Sequence, residues 1–242
     1  MPNSADVQLV RNATVLVDVG SVTFLVDPMF SDEGENPPVP NSPNDRRNPL
    51  VPMPGVELSY DAVVVTHRHQ DHWDEAAVEA LDADVPLFCQ PAEADAFAAE
   101  GFTDVRAVEE SASFEGVTVH RTQGRHGHGA LAEEMGPVSG FVFEGDETVY
   151  VAGDTVWYDA VQETLDRFAP EVVVLNGGEA RFEEGDPITM GVEDITAVRA
   201  ATDAEIVVVH MEAINHCLLS REELREGVGD VHVPADGERV TF

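Results

Sequence analysis

Three times in this chain an apolar run of strand-forming residues ends on a side chain able to ligate a metal. The runs are Val63-Val64-Val65-Thr66-His67, Val149-Tyr150-Val151-Ala152-Gly153-Asp154 and Ile206-Val207-Val208-Val209-His210. Short continuous apolar runs, rather than alternating ones, mark strands buried on both faces. Such strands need a layer on each side, so sheets packed together with helices outside are the economical solution.

The rest of the pattern agrees with that layering. Strands are expected over 7–10, 14–19, 22–27, 61–66, 86–90, 105–108, 117–122, 139–144, 148–152, 171–176 and 205–210, with His232 in a C-terminal strand. Helices are expected over 74–81, capped by Asp74, and over 91–100, opened by Pro91 and closed by Gly101. Further helices are expected over 158–168, 192–202 and 221–226. The fold class is therefore α/β, and the length of 242 residues suits a single domain, residues 1–242. One segment resists this reading. Residues 31–56 carry seven prolines, from Pro37 to Pro54, between two strands. A structureless loop of that length inside a domain usually covers a functional face, and it is expected near the active-site face here.

Charge bounds the setting and the partners. There are 47 acidic residues against 13 basic ones, a formal net charge of −34, and every basic residue is Arg because the sequence has no Lys. Such a field repels nucleic acids and anionic membranes. It also destabilises a compact chain unless salt screens it, since the Debye length falls to about 3 Å at 1 M. The expected setting is a high-salt cytoplasm. No apolar window reaches the roughly 18 residues of a transmembrane helix, and the first residues lack the basic and apolar regions of a secretory signal. Cys89 and Cys217 stand far apart and read as buried thiols, not as a disulfide.

The densest signal is His67-Arg68-His69-Gln70-Asp71-His72 at the end of a buried strand. Residues two apart on a strand face the same side, so His67 and His69 can act together. Asp71 and His72 follow in the turn before the helix that Asp74 caps. Imidazole and carboxylate donors at this density suit zinc or another first-row metal.

This element resembles the His-x-His-x-Asp-His signature of the metallo-β-lactamase superfamily, and the chain looks most similar to the L-ascorbate-6-phosphate lactonase-like branch. The resemblance implies a four-layer αββα sandwich, with metals at one edge between two sheets. It implies further ligands in a fixed order. His126 of Gly124-Arg125-His126-Gly127-His128 fits the next position, with His128 as competitor; Asp154 fits the bridging aspartate, and His210 the last ligand. One divalent ion would then lie on His67, His69 and His126, and a second on Asp71, His72 and His210, with Asp154 between them. Zinc is the first expectation, with Mn or Fe as alternatives. Asp27, before Pro28, resembles a group that orients ligands. Asn176 and His216 stand as possible substrate or supporting groups, His120 and His232 as structural ones, and Trp157-Tyr158 either as pocket wall or as core.

The implied chemistry is metal-assisted hydrolysis. A metal-bridging hydroxide attacks a small ester, lactone or phosphoester, and Asp71 and Asp154 are the catalytic carboxylates. A small molecule that is anionic or contains a carbonyl or phosphoryl group is the expected partner. Arg46, Arg47, Arg125 and Arg181 are then the candidates for holding a phosphate. A nuclease or phosphodiesterase of the same superfamily, and a non-catalytic metal-binding sensor, are the alternatives. Oligomeric state is open.

Overall fold

The computed structural model describes residues 5–242 and contains each of the strands and helices expected up to residue 227, most within a residue or two of the expected ends. One sheet holds seven strands. They are β1 (Asp6–Arg11), β2 (Thr14–Val19), β3 (Val22–Val26), β4 (Ala62–Val65), β5 (Leu87–Cys89), β6 (Val105–Ala107) and, at the far edge beside β1, β13 (Arg239–Thr241). The other holds six: β7 (Ser111–Phe114), β8 (Val117–Gln123), β9 (Ser139–Glu144), β10 (Thr148–Val151), β11 (Val172–Asn176) and β12 (Glu205–Val209). The helices are α1 (Glu75–Ala80), α2 (Ala94–Ala99) behind a 3-10 turn at Pro91–Glu93, α3 (Gly129–Glu134), α4 (Asp159–Phe168), α5 (Val192–Ala201) and α6 (Arg221–Gly227).

Strand alternation sorts the apolar residues into layers. Val15, Val17 and Val19 of β2, Phe24 of β3 and Val64 of β4 meet Phe143 of β9, Val149 of β10 and Val207 of β12 in a core between the sheets. The intervening residues point the other way. Leu16, Leu25, Val63 and Val65 pack with α1 and α2, through Ala77 and Phe97. Val142, Tyr150, Val173 and Val208 pack with α4, α5 and α6, through Leu165, Ile195 and Leu224. Two mixed sheets with helices on both outer faces form the αββα sandwich. Between the sheets Phe24 lies 4.6 Å from Phe143 and 6.5 Å from Phe88, ring centre to ring centre. Such pairs add about 0.5–1.5 kcal/mol each beyond the area they bury.

The topology also sets where chemistry can sit. β3, β4, β5 and β6 run parallel in one sheet, and β10, β11 and β12 run parallel in the other. The parallel β3, β4, β10, β11 and β12 end on Asp27, His67, Asp154, Asn176 and His210, and these residues meet at one edge of the sandwich.

Three elements were not expected, and each lacks an apolar signature. β7 alternates exposed and half-buried residues at a sheet edge, β13 does the same at the other sheet's edge, and α3 buries no residue. His232 does not lie in the C-terminal strand; it forms a single bridge to Val207, and the terminal strand is β13. Residues 27–61 contain no strand or helix, and the segment folds over the site's edge of the sandwich. No helix among the described residues is long and apolar enough to cross a membrane.

Candidate metal centre

Asp27 organises the floor of the site. Its backbone is left-handed (φ 49°), a conformation that costs energy in a residue with a Cβ and recurs at functional positions. One carboxylate oxygen accepts the Thr66 N–H at 2.7 Å; the other accepts the Thr66 hydroxyl and pairs with His72 Nδ1, both at 2.7 Å. Anchoring Nδ1 turns His72 Nε2 inward, where it lies 3.3 Å from Asp154 Oδ2 and 3.1 Å from His210 Nε2. His126 is fixed in the same manner, its Nδ1 2.8 Å from the Ile188 carbonyl and its Nε2 3.4 Å from Asp154. His210, also left-handed (φ 61°), sets Nδ1 3.3 Å from Cys217 Sγ and Nε2 3.2 Å from Asp71 Oδ2. Three imidazoles thus have one nitrogen engaged by the protein and the other free for the interior, the arrangement that supports metal-ligating histidines.

Glycine permits the close approach. A Cβ on Gly153 (φ 68°) would meet the Ser139 carbonyl at 2.8 Å and Thr66 at 3.3 Å. The β10–Asp154 turn could not then lie against the His67 strand. Asn176 donates to Asp154 Oδ1 at 2.7 Å and orients that carboxylate.

The structure brings together His67, His69, Asp71, His72, His126, Asp154 and His210. Their ligand atoms fall into three groups, each within 4.8 Å: His67, His69 and His126; His67, His72 and Asp154; and Asp71, His72 and His210. The electrostatics fit a cation. His67 Nε2 and His69 Nδ1 are 3.0 Å apart, and His72 and His210 present Nε2 atoms 3.1 Å apart. Burial works against charge on His72, but Asp154, Asp27 and Asp71 outweigh it and lift its pKa to about 10. Burial likewise opposes charge on Asp154 and Asp71, yet the imidazoles around them hold both well below the usual carboxylate range. His67 and His126 are driven down by burial. The buried carboxylates favour positive charge on His72 and His210, a place that a divalent ion with nitrogen and oxygen donors would fill.

A cavity of about 310 Å³ opens on this cluster, reaching His69, Asp71 and His126. Its walls are largely apolar: Met29, Pro37, Pro38, Val39, Pro40, Met135, Phe182 and Ile214, with His216 among them. The Pro-rich segment supplies much of this wall. A larger groove, about 700 Å³, lies between the ends of α4 and α5 and contains no such cluster.

Residues that sequence reasoning passed over hold the wall in place. Arg11 is fully buried and donates to the carbonyls of Met29 and Ser31 at 2.9 Å and of Val51 at 3.2 Å, clamping both ends of the segment. Asn215 exchanges hydrogen bonds with Asn48 (2.8 and 2.9 Å) and Asn44 (2.7 and 2.9 Å), tying the segment to the loop that carries His216. Asn12 donates to the Asp71 carbonyl at 2.9 Å and accepts the His210 N–H at 2.7 Å. No local motif announces these roles, because every partner is distant in sequence.

Other candidates lie elsewhere. His128 is exposed and lines a separate acidic depression with Glu179, Asp186 and Asp194. None of the four candidate arginines lines the cavity: Arg47 bonds the Gly34 and Glu35 carbonyls, Arg125 sits 4.4 Å over the Tyr158 ring, and Arg181 pairs with Glu179. Trp157 and Tyr158 pack on the helical core, His120 pairs with Glu144 at 2.9 Å, and both cysteines are buried free thiols.

The sequence model of the family described as the beta-lactamase superfamily domain matches residues 23–211, from β3 to just past His210. The chain belongs to the metallo-β-lactamase superfamily. Among the relatives of this superfamily member, UPF0173 protein YddR of Bacillus subtilis (strain 168) is 41% identical, covering 96% of this chain and 98% of its own. A UPF0173 metal-dependent hydrolase of Salinibacter ruber is 27% identical over 84% of this chain and 82% of its own. Among solved structures, isothiocyanate hydrolase from Delia radicum gut bacteria superposes with a TM-score of 0.92 at 37% identity, covering 98% of this chain and 99% of that one. A possible metal-dependent hydrolase from Veillonella parvula DSM 2008 gives 0.93 at 35% identity, over 99% and 100%.

Proposed function

We propose that this chain is a metal-dependent hydrolase acting on a small, uncharged substrate at a carbonyl- or heterocumulene-type carbon. The observation that carries the reading is the opening of the His/Asp cluster onto an apolar cavity without Arg or Lys. His67, His69 and His126 would hold one divalent ion and Asp71, His72 and His210 a second, with Asp154 shared; zinc suits the imidazole-rich set. Bound there, such ions supply Lewis acidity and lower the pKa of water from 15.7 toward about 7. Asp71 is the carboxylate of the cluster that also lines the cavity, and it is placed to take the proton released as water attacks. Asp27, Asn176 and the Ile188 carbonyl keep the donors oriented.

The similarity to an isothiocyanate hydrolase supports this substrate class. An isothiocyanate is uncharged, its apolar group fits such a wall, and adding water across its central carbon yields an amine and carbonyl sulfide. Esters and lactones present an equivalent carbon. A phosphorylated lactone or a phosphodiester would bring anionic oxygens into an apolar wall with no cation besides the metals, so the lactonase-like branch and the nuclease reading gain no support from the cavity. Residues 1–242 act in this reading as one domain, with 31–56 forming its substrate wall.

The test is metal analysis with a turnover panel. About two metal ions per chain are expected, with loss of metal and of turnover in a His67→Ala/His69→Ala variant. Phenethyl isothiocyanate and p-nitrophenyl acetate should be hydrolysed in preference to bis-p-nitrophenyl phosphate. Fewer than one metal per chain, or activity on the phosphodiester alone, would refute the proposal.

We further propose a high-salt cytoplasm as the working environment, on the strength of the net charge of −34. The thermal midpoint should climb steadily as KCl is raised from about 0.1 M to about 2 M, as repulsion is screened. A midpoint that is flat or falls over that range would contradict it.

A further inference from the structure

One imidazole at the cavity is left over when the two triads are assigned. His216 is 5% exposed, and its Nδ1 is buried without a hydrogen-bond partner in the described protein. Buried polar atoms are nearly always satisfied, and a bare one in a native fold asks for an explanation. The ring is nonetheless held firmly. It stacks on Phe182 at 6.3 Å and 22°. Its carbonyl accepts the Arg181 N–H at 3.0 Å, Asn215 before it is locked to Asn44 and Asn48, and Cys217 after it bridges to Ala180. The fold therefore fixes a polar ring beside the cluster while offering its buried nitrogen nothing to bond.

His216 lines the cavity together with His69, Asp71 and His126. Burial lowers its pKa to about 4, so it stands there as a neutral imidazole with one N–H and one lone pair. Around it the wall is chiefly proline, methionine and Phe182, with the neutral amides of Asn36, Asn48 and Gln70 and no Arg or Lys. A charged substrate tail would lose its water against that wall with no counter-charge to replace it, whereas an uncharged polar head beside an apolar tail matches both surfaces.

We infer that His216 is a substrate-binding residue, its imidazole hydrogen-bonding the polar head of an uncharged substrate whose apolar tail lies against Phe182 and the prolines of segment 31–56. This rests on the hydrolase reading for the reaction but not for the binding, and the two are tested separately.

The probe is N-benzylthiourea, an uncharged head on an aromatic tail, titrated calorimetrically into zinc-loaded protein. The variants are His216→Phe, which keeps a stacking ring without polar atoms, and His216→Asn, which restores a donor and an acceptor. Metal content is measured on each to verify that the triads are intact. Wild type should bind. His216→Phe should bind about tenfold more weakly, equivalent to about 1.4 kcal/mol, and His216→Asn should recover part of the loss. Unsubstituted thiourea should bind more weakly than the benzyl compound. Equal binding by wild type and His216→Phe at equal metal content overturns the inference, as does failure of wild type to bind. Should His216→Phe not fold, His216→Ala is compared with wild type by the same criterion. Binding that depends on His216 without turnover of any panel substrate would uphold this inference and sink the hydrolase reading instead.

Discussion

Replacing Asp154 by Asn is expected to lower hydrolysis by a factor of about a thousand or more while leaving the fold intact. Asp154 is the carboxylate that reaches both triads. Its Oδ2 lies 3.3 Å from His72, 3.4 Å from His126 and 4.0 Å from His67, and its Oδ1 lies 3.8 Å from His210. Asn fills the same volume, so packing at the end of β10 is preserved. What disappears is the negative charge that, in the proposed two-ion site, would offset the repulsion between the cations. Metal content should fall from about two per chain toward one, read by elemental analysis of the purified variant. The metal-free proteins add a test in pH. Asp154 is held well below the usual carboxylate range; burial opposes this, and His210, His72 and His126 overcome it. A carboxylate with a depressed folded pKa contributes stability above its unfolded value, near 3.9, and loses it as pH falls toward the folded one. With chelator present, the gap in denaturant midpoint between wild type and variant should be widest near neutral pH and narrow below about pH 4. Turnover retained at the wild-type rate would contradict the shared role of Asp154.

Much of this site could be read from the chain because its donors sit at the ends of locally encoded strands. Val63-Val64-Val65 and Ile206-Val207-Val208-Val209 announce themselves by composition. A parallel sheet delivers whatever follows such runs to the same edge, and the resemblance to the superfamily's ligand order pointed to Asp154 and His210 among them. Both His126 and His128 sit in the same glycine-rich loop, and only the superfamily's ligand order favoured His126 in the sequence; the Ile188 carbonyl, 62 residues away, fixes the His126 ring. The elements that escaped notice, β7, α3 and β13, are edge or surface pieces with little buried apolar surface, and hydrophobic pattern is the only signal a single sequence offers for them. The supporting residues escaped for a different reason. Arg11, Asn12 and Asn215 work through backbone groups between 18 and 198 positions away, and a backbone partner leaves no mark on sequence. The apolar wall was hidden in the same way: a run of prolines indicates a segment without regular structure, but not which of its side chains turn toward the site.

Arg11 is where that hidden support is strongest, and Arg11→Met should expose it. The guanidinium holds three backbone carbonyls, those of Met29, Ser31 and Val51. The Ser31 N–H in turn bonds Asp74 Oδ2 at 2.8 Å, while Asp74 Oδ1 caps α1 through the Ala77 N–H. Met keeps much of the apolar stem and removes every donor. Hydrogen bonds to a charged group are worth about 1.5–3 kcal/mol each, but the desolvation of a buried cation is recovered when it is removed. A net loss of about 3 kcal/mol follows, which lowers the melting temperature of a chain this size by roughly 6–12 °C. The damage should be local. With its clamp gone, segment 31–56 keeps its asparagine ties to the His216 loop, the Ser31 bond to Asp74 and the Leu50 N–H bond to the Ala213 carbonyl, and the cavity wall loosens while the triads stay anchored by Asp27 and Ile188. KM should therefore rise more than kcat falls, with metal content unchanged. Trypsin gives an independent reading, because the chain has no Lys and the only arginines within 31–56 are the exposed Arg46 and Arg47. Cleavage after these two should be slow in wild type and fast in Arg11→Met. A variant that melts with wild type and resists trypsin equally would show that the segment is held without the Arg11 clamp.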